Sequence, residues 1–254
     1  MFDAKKVTEE IIAYIRDYFN KYNLKGVVLG ISGGKDSAVV AGLFAKALGP
    51  KNVIGVWMPC HSKEEDKEDA KTVADHFGFD LFTIDITPVY ETFKQEFKKG
   101  FKELEFNNDD LKESDINIKP RLRMLTNYYT AAFFSAYEEQ GYLVPGTSNL
   151  AELFTGYFTK GGDNVCDISV IGDLTVSEVL KVGEYIGVPS KILYKTPNDG
   201  LSNMSDEEKM GILYEDVEKV INNQDLDEEI KTKIMKLHQR NAHKFSVPTY
   251  KKGG

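Results

Sequence analysis

Gly30-Ile31-Ser32-Gly33-Gly34-Lys35-Asp36-Ser37 follows the apolar run Val27-Val28-Leu29 and opens into a long apolar stretch over residues 38–48. A strand, a glycine turn and a helix start in immediate succession form a site for phosphate. Gly33 and Gly34 can take backbone angles closed to other residues, and the free N–H groups of the helix start meet the anion with the positive end of the helix dipole. The Walker pattern does not fit, because it places four residues between its first glycine and Gly-Lys and then Ser or Thr directly. Here three residues intervene and Asp36 separates Lys35 from Ser37. The dinucleotide fingerprint also fails for want of a third glycine at the required place. Asp36 is the informative residue, since a carboxylate beside a polyanion repels it unless a cation lies between. It reads as a Mg²⁺ ligand, hard oxygen on hard cation, with a helix N-cap as its structural rival.

Outward from this loop, apolar spacing predicts a helix over 7–22, strands at 27–31, 53–58 and 81–84, and helices over 63–77 and 88–101. Strand, helix, strand, helix, strand implies parallel pairing with right-handed crossovers, and ligands in such sheets collect at the carboxyl ends of the strands. Residues 106–119 lack a sustained apolar period and are expected to form a mobile loop. A helix over 121–137 and a strand at 142–144 follow, the strand ending in Pro145-Gly146-Thr147-Ser148-Asn149. Ser205 with Glu208 forms a capping-box pattern, and residues 251–254 read as a frayed tail.

The 254 residues fit one domain, with 41% hydrophobic and 28% charged residues, ordinary values for a globular protein. A formal net charge of -8 argues against broad attraction to nucleic acid, so an anionic nucleotide must be held by local groups or a metal. No apolar run approaches membrane-spanning length. Cys60 and Cys166 are far apart and form no CxxC pair, and no basic-then-apolar leader follows Met1; a cytoplasmic location is the expectation.

Ser-Gly-Gly-x-Asp-Ser resembles the pyrophosphate loop of the N-type ATP pyrophosphatases, which split ATP between its α and β phosphates. Four further stretches narrow the resemblance. They are Lys119-Pro120-Arg121-Leu122-Arg123-Met124, Gly146 to Glu152, Gly156-Tyr157-Phe158-Thr159-Lys160-Gly161-Gly162-Asp163, and Asp167-Ile168 with Lys195-Thr196-Pro197. In order and spacing they look like the NAD synthetase family, and the likeness runs from the first strand to His243-Lys244. The implied fold is α/β, a Rossmann-like parallel sheet flanked by helices, of the adenine nucleotide alpha hydrolase-like type, with residues 1–254 as a single domain.

The resemblance implies amidation of deamido-NAD. The nicotinate carboxylate attacks the α-phosphorus of ATP, pyrophosphate leaves, and ammonia displaces AMP from the acyl-adenylate. It places Gly30, Ile31, Ser32, Gly33, Gly34, Lys35, Asp36, Ser37, Thr147, Lys195 and Asn198 at ATP, and Asp36 and Glu152 on Mg²⁺. Arg121, Lys160, Asp167, His243 and Lys244 would contact deamido-NAD. It also implies a homodimer, for which the first helix and the tyrosine-rich helix after Arg121 are candidate surfaces. The chain has no room for a separate amidase domain, so free ammonia is the expected donor unless a separate amidotransferase subunit delivers it. Departures from the family pattern are Val176 in place of a phosphate-contacting lysine, Gly161 in place of an aromatic, Asn198 in place of a hydroxyl residue, and Phe245 in place of a basic one. Glu152 has a structural rival, since Asn149 stands where a cap would and Glu152 three residues on. Two other readings stay open here: a different ATP pyrophosphatase, such as a tRNA-modifying ligase or thiolase, and a non-catalytic adenine-nucleotide sensor.

Overall fold

The computed structural model describes residues 2–195 and 206–252. Asn198, expected at ATP, lies outside them, as do Thr196, Pro197, Ser205 and the last two residues of the tail. In chain order the elements are α1 (Ala4–Lys21), β1 (Leu24–Gly30), α2 (Lys35–Leu48), β2 (Val53–Trp57), α3 (Glu64–Phe77), β3 (Asp80–Thr83), α4 (Thr87–Gly100), α5 (Asn108–Tyr137) and β4 (Gly141–Leu143). Then come β5 (Pro145–Gly146), α6 (Leu150–Thr155), β6 (Ile168–Ser169), α7 (Val176–Ile186), α8 (Ser190–Leu193), α9 (Asp206–Met210), α10 (Tyr214–Ile221) and α11 (Glu228–Arg240).

The four-stranded sheet has the order β3-β2-β1-β4, and every pair in it is parallel. Alternation along β1 sends Val27, Leu29 and Ile31 into a core with α1, α2, α3 and α7, while Val28 enters a second core under α4 and α5. A sheet buried on both faces needs apolar residues at successive positions, which the runs in β1 and β2 supply. α2 is enclosed on nearly every side, and its Val39, Val40, Leu43 and Phe44 are fully buried. A third core joins α6, α10 and α11 through Ala151, Ile212, Val217 and Ile234.

Where the sequence predicts a loop over 106–119, the chain is helical from Asn108. A capping box starts the helix, Asn107 accepting from Asp109 N and Asp110 N while Asp110 accepts from Asn107 N. Polar contacts then replace the missing apolar period: Lys94 pairs with Asp115 at 2.9 Å, and Thr159 Oγ1 bonds Asn117 Oδ1 at 2.9 Å. Pro120 sits inside the helix and has no N–H to offer the carbonyl four residues back.

Gly26 marks the irregularity where β1 meets β4. A Cβ there would stand 2.2 Å from the carbonyl oxygen of Asn52 and 2.8 Å from Tyr142 Cε1. Because the first obstacle is backbone, the strands must separate. Gly26→Ala is expected to destabilise the fold by about 1–3 kcal/mol, read as a lower urea midpoint; an unchanged midpoint contradicts this register.

Candidate active site

The glycine loop leaves the carboxyl end of β1 and is braced by its own hydroxyls. Gly34 N donates to Ser32 Oγ at 3.2 Å, Ser37 Oγ donates to Gly34 O at 3.1 Å, and the two hydroxyls lie 3.1 Å apart. Gly33 has φ +79, with α3 close behind it. No side chain caps the start of α2, where Gly34 is the N-cap. Its first N–H groups are thus left for a ligand, as an anion site requires.

Asp36 Oδ2 accepts from Lys35 Nζ at 2.8 Å, whereas its Oδ1 is buried with no hydrogen-bond partner. A buried carboxylate oxygen without a donor is costly, and a hard cation satisfies it. The cap and ligand readings of Glu152 prove compatible. Its Oε2 accepts from Asn149 N at 3.2 Å, completing the capping box of α6, and the side chain also lines the cavity beside Asp36. Burial, followed by the Asp36 carboxylate, pushes its pKa from 4.5 up to about 8. Among the described residues there is no group of three or more metal-ligating side chains. Two carboxylates fit Mg²⁺ better than a closed protein cage does, because this ion takes one or two carboxylates and completes its shell with phosphate oxygens and water.

Between about pH 4.5 and about pH 8 the folded metal-free protein holds a proton on Glu152 that the unfolded chain has released. The Glu152 contribution to stability is therefore full below the lower value and is lost as pH rises through the upper one. The melting temperature of the metal-free protein is expected to fall across this window, and Glu152→Gln to remove part of the slope. A parent-minus-variant difference that is constant with pH contradicts this assignment.

Loop, carboxylates and Thr147 line one cavity of about 970 Å³. Lys195 also lines it, with Nζ bonded to Asp66 Oδ1 at 2.8 Å and Asp69 Oδ2 at 2.7 Å. Of the five residues expected at deamido-NAD, Lys244 alone lines the cavity. Its Nζ donates to Gly156 O and Phe158 O, each at 2.9 Å. The other four are exposed. Arg121 donates to Lys160 O at 3.3 Å, Lys160 donates to His243 O at 2.6 Å, and His243 Nδ1 lies 3.2 Å from Arg240 O. Asp167 accepts from Tyr128 Oη at 3.1 Å and Val144 N at 2.8 Å.

Val176 packs against the apolar core of α6, α10 and α11. The next residue, Ser177, gives its N and Oγ to Glu218 at 2.9 and 2.8 Å. A carboxylate thus occupies that helix start. Sequence reasoning assigned no role to Lys119, Arg123 and Asn127, which line the cavity from α5. The signal was their spacing of four, visible once residue 119 is taken as helical.

A parallel sheet with a glycine loop and an uncapped helix at its carboxyl end, facing a paired carboxylate site, defines a nucleotide-handling α/β protein. The sequence profile of the NAD synthase family matches residues 7–248. The NH(3)-dependent NAD(+) synthetase of Carboxydothermus hydrogenoformans is 36% identical over 95% of each chain. Among solved structures, NMN synthetase from Francisella tularensis superposes with a TM-score of 0.87 at 29% identity, covering 99% of this chain and 100% of that one. The NH3-dependent NAD synthetase from Campylobacter jejuni gives 0.75 at 30% identity with the same coverage. The chain belongs to the NAD synthase family. The resemblance carried by its motifs is borne out, as is the adenine nucleotide alpha hydrolase-like fold. No helix among the described residues is long and apolar enough to cross a membrane.

Proposed function

We propose that this protein is an ammonia-dependent NAD synthetase, a ligase converting deamido-NAD to NAD with ATP. The observation that carries this reading is the pairing of near full-length identity to NH(3)-dependent NAD(+) synthetases with an orphaned Asp36 oxygen beside Glu152. Gly30 to Ser37 hold the pyrophosphate portion of ATP against the N–H groups of α2. Thr147 and Lys195 complete the wall, and Asn198 belongs to the same set. Asp36 and Glu152 hold Mg²⁺, which when bound offsets charge on the phosphates. The nicotinate carboxylate attacks the α-phosphorus and the P–O bond to pyrophosphate breaks. Ammonia then attacks the acyl carbon, AMP leaves, and the surplus proton passes to solvent.

Arg121, Lys160, Asp167 and His243 serve the far half of the dinucleotide. Their exposure supports a homodimer in which a second copy covers them. Arg121 heads a stripe continued by Leu125, Tyr129, Phe133 and Tyr137, which are 59%, 77%, 56% and 71% exposed on one face of α5. Such an apolar face is unusual on a monomer surface. Tyr129→Asp with Phe133→Asp is expected to give a monomer by light scattering, and a monomeric parent contradicts the dimer.

The higher TM-score against an NMN synthetase favours a second reading, in which nicotinate mononucleotide is the acceptor. Comparing kcat/KM for the two acceptors decides. The dinucleotide reading predicts preference for deamido-NAD and its loss in Lys160→Ala, whereas preference for the mononucleotide, unaffected by Lys160→Ala, supports the second reading.

A further inference from the structure

Lys119, Arg123 and Asn127 follow one another at steps of four along α5, so they share one face of the helix. All three line the cavity, and none has its polar group satisfied by the protein. Lys119 is 6% exposed. Its ammonium lies 5.2 Å over the Tyr90 ring, and among the described residues it makes no hydrogen bond or ion pair. The nearby Asp115 is already engaged with Lys94. Arg123, half-buried, likewise makes no hydrogen bond or ion pair among the described residues, and the carboxylate whose charge acts on it is that of Asp163. Asn127 Oδ1 is buried without a donor. Two partly desolvated cations one turn apart repel each other, and protein carboxylates normally relieve such a pair. Here Asp163 and Asp115 act on them without forming an ion pair with either, and both cations line the cavity.

The stripe also has a definite place. At one end Asn127 borders the glycine loop, where a Cβ on Gly30 would lie 3.4 Å from Asn127 Nδ2. At the other end the 159–163 turn packs on α5, a Cβ on Gly162 lying 3.0 Å from Pro120 Cβ. The three side chains thus span roughly 12 Å of helix between the pyrophosphate loop and the turn that carries Lys160.

We infer that the inner face of α5 is a second phosphate subsite, which takes the 5′-phosphate of a nucleotide on Lys119 and Arg123 and a ribose hydroxyl on Asn127. The Arg123 fork donates two parallel bonds to phosphate and Lys119 supplies a third. The Asn127 oxygen accepts from the sugar. The ligand class is a nucleoside 5′-monophosphate moiety, with two sources under the function proposed above: the adenylate half of ATP, or the pyridine ribotide half of the acceptor. The subsite rests on that reading for the sources, and on the unpartnered side chains for its existence.

Calorimetric titration with three probes tests it: AMP, nicotinate mononucleotide, and pyrophosphate with Mg²⁺. The parent is expected to bind at least one mononucleotide. Lys119→Met and Arg123→Met should each weaken that binding by roughly 10-fold to 100-fold and leave pyrophosphate binding unchanged. Arg123→Lys should recover part of the loss. The mononucleotide that weakens identifies the source. If a methionine variant does not fold, Lys119→Gln and Arg123→Gln, which delete the charge and keep a polar end, must produce the same selective loss. The subsite is overturned if the parent binds neither mononucleotide, if the variants bind like the parent, or if pyrophosphate binding falls in step. NAD formation by the parent is assayed separately, so a stripe that binds nucleotide in a protein that makes no NAD refutes the function and leaves the subsite standing.

Discussion

Asp36→Asn and Glu152→Gln are each expected to lower kcat for NAD formation by at least about 10²–10³-fold, the scale of removing one preorganised electrostatic group from a reacting centre. Both substitutions keep the shape of the side chain and delete its charge. Asp36 Oδ1 has no partner in the protein, so what the asparagine loses is the capacity to hold a cation. Under the proposed metal role the two residues act on one ion, so the double variant should be little worse than the poorer single one. A merely structural role predicts the opposite pattern in stability. Asp36 raises the pKa of Glu152, which means that the two carboxylates repel when both are ionised. Removing either charge should therefore raise the melting temperature of the metal-free protein while activity collapses, a trade common at active sites. Activity within tenfold of the parent in either variant contradicts the metal assignment.

Gly33→Ala is expected to raise the KM for ATP at least roughly tenfold. A non-glycine residue at φ +79 is strained by about 1–2 kcal/mol. The added Cβ would also stand 2.9 Å from the carbonyl oxygen of Asp66 and 2.9 Å from Asp69 Cβ. Backbone of α3 does not yield as a flexible side chain does, so the loop must move away from the geometry that aims its N–H groups at phosphate. About 1.4 kcal/mol of that cost is enough for a factor of ten. Gly34→Ala is the internal control. Gly34 has φ -97, and its added Cβ would meet only Ser32 Oγ at 3.4 Å. Equal effects of the two alanines contradict the loop geometry.

The centre of the fold was legible because each signal there is local. Glycines after an apolar run placed the loop between β1 and α2, and strands alternating with helices implied the parallel sheet. The helical start of α5 was not legible. Its fourteen-residue approach has few apolar positions, and what holds it is the Asn107 cap together with Asp115 reaching back to Lys94. Pro120 lies inside this helix, although proline more often opens one. β5 and β6 are two residues each and pair only with one another, too short to carry a period. The same limits shaped the site. Asp36 stood out because a carboxylate is out of place in a phosphate loop, and Glu152 followed from its motif. Lys195 gave no sign of Asp66 and Asp69, its partners more than a hundred residues earlier. Lys119, Arg123 and Asn127 share a face only once the helix is known to begin before them.

The most direct test of the central claim is the joint formation of AMP and NAD by the purified protein given ATP, Mg²⁺ and deamido-NAD, with ammonium or glutamine as nitrogen donor. The account predicts AMP and NAD in equal amounts with ammonium and no NAD with glutamine. AMP without NAD, or no AMP with either donor, contradicts it.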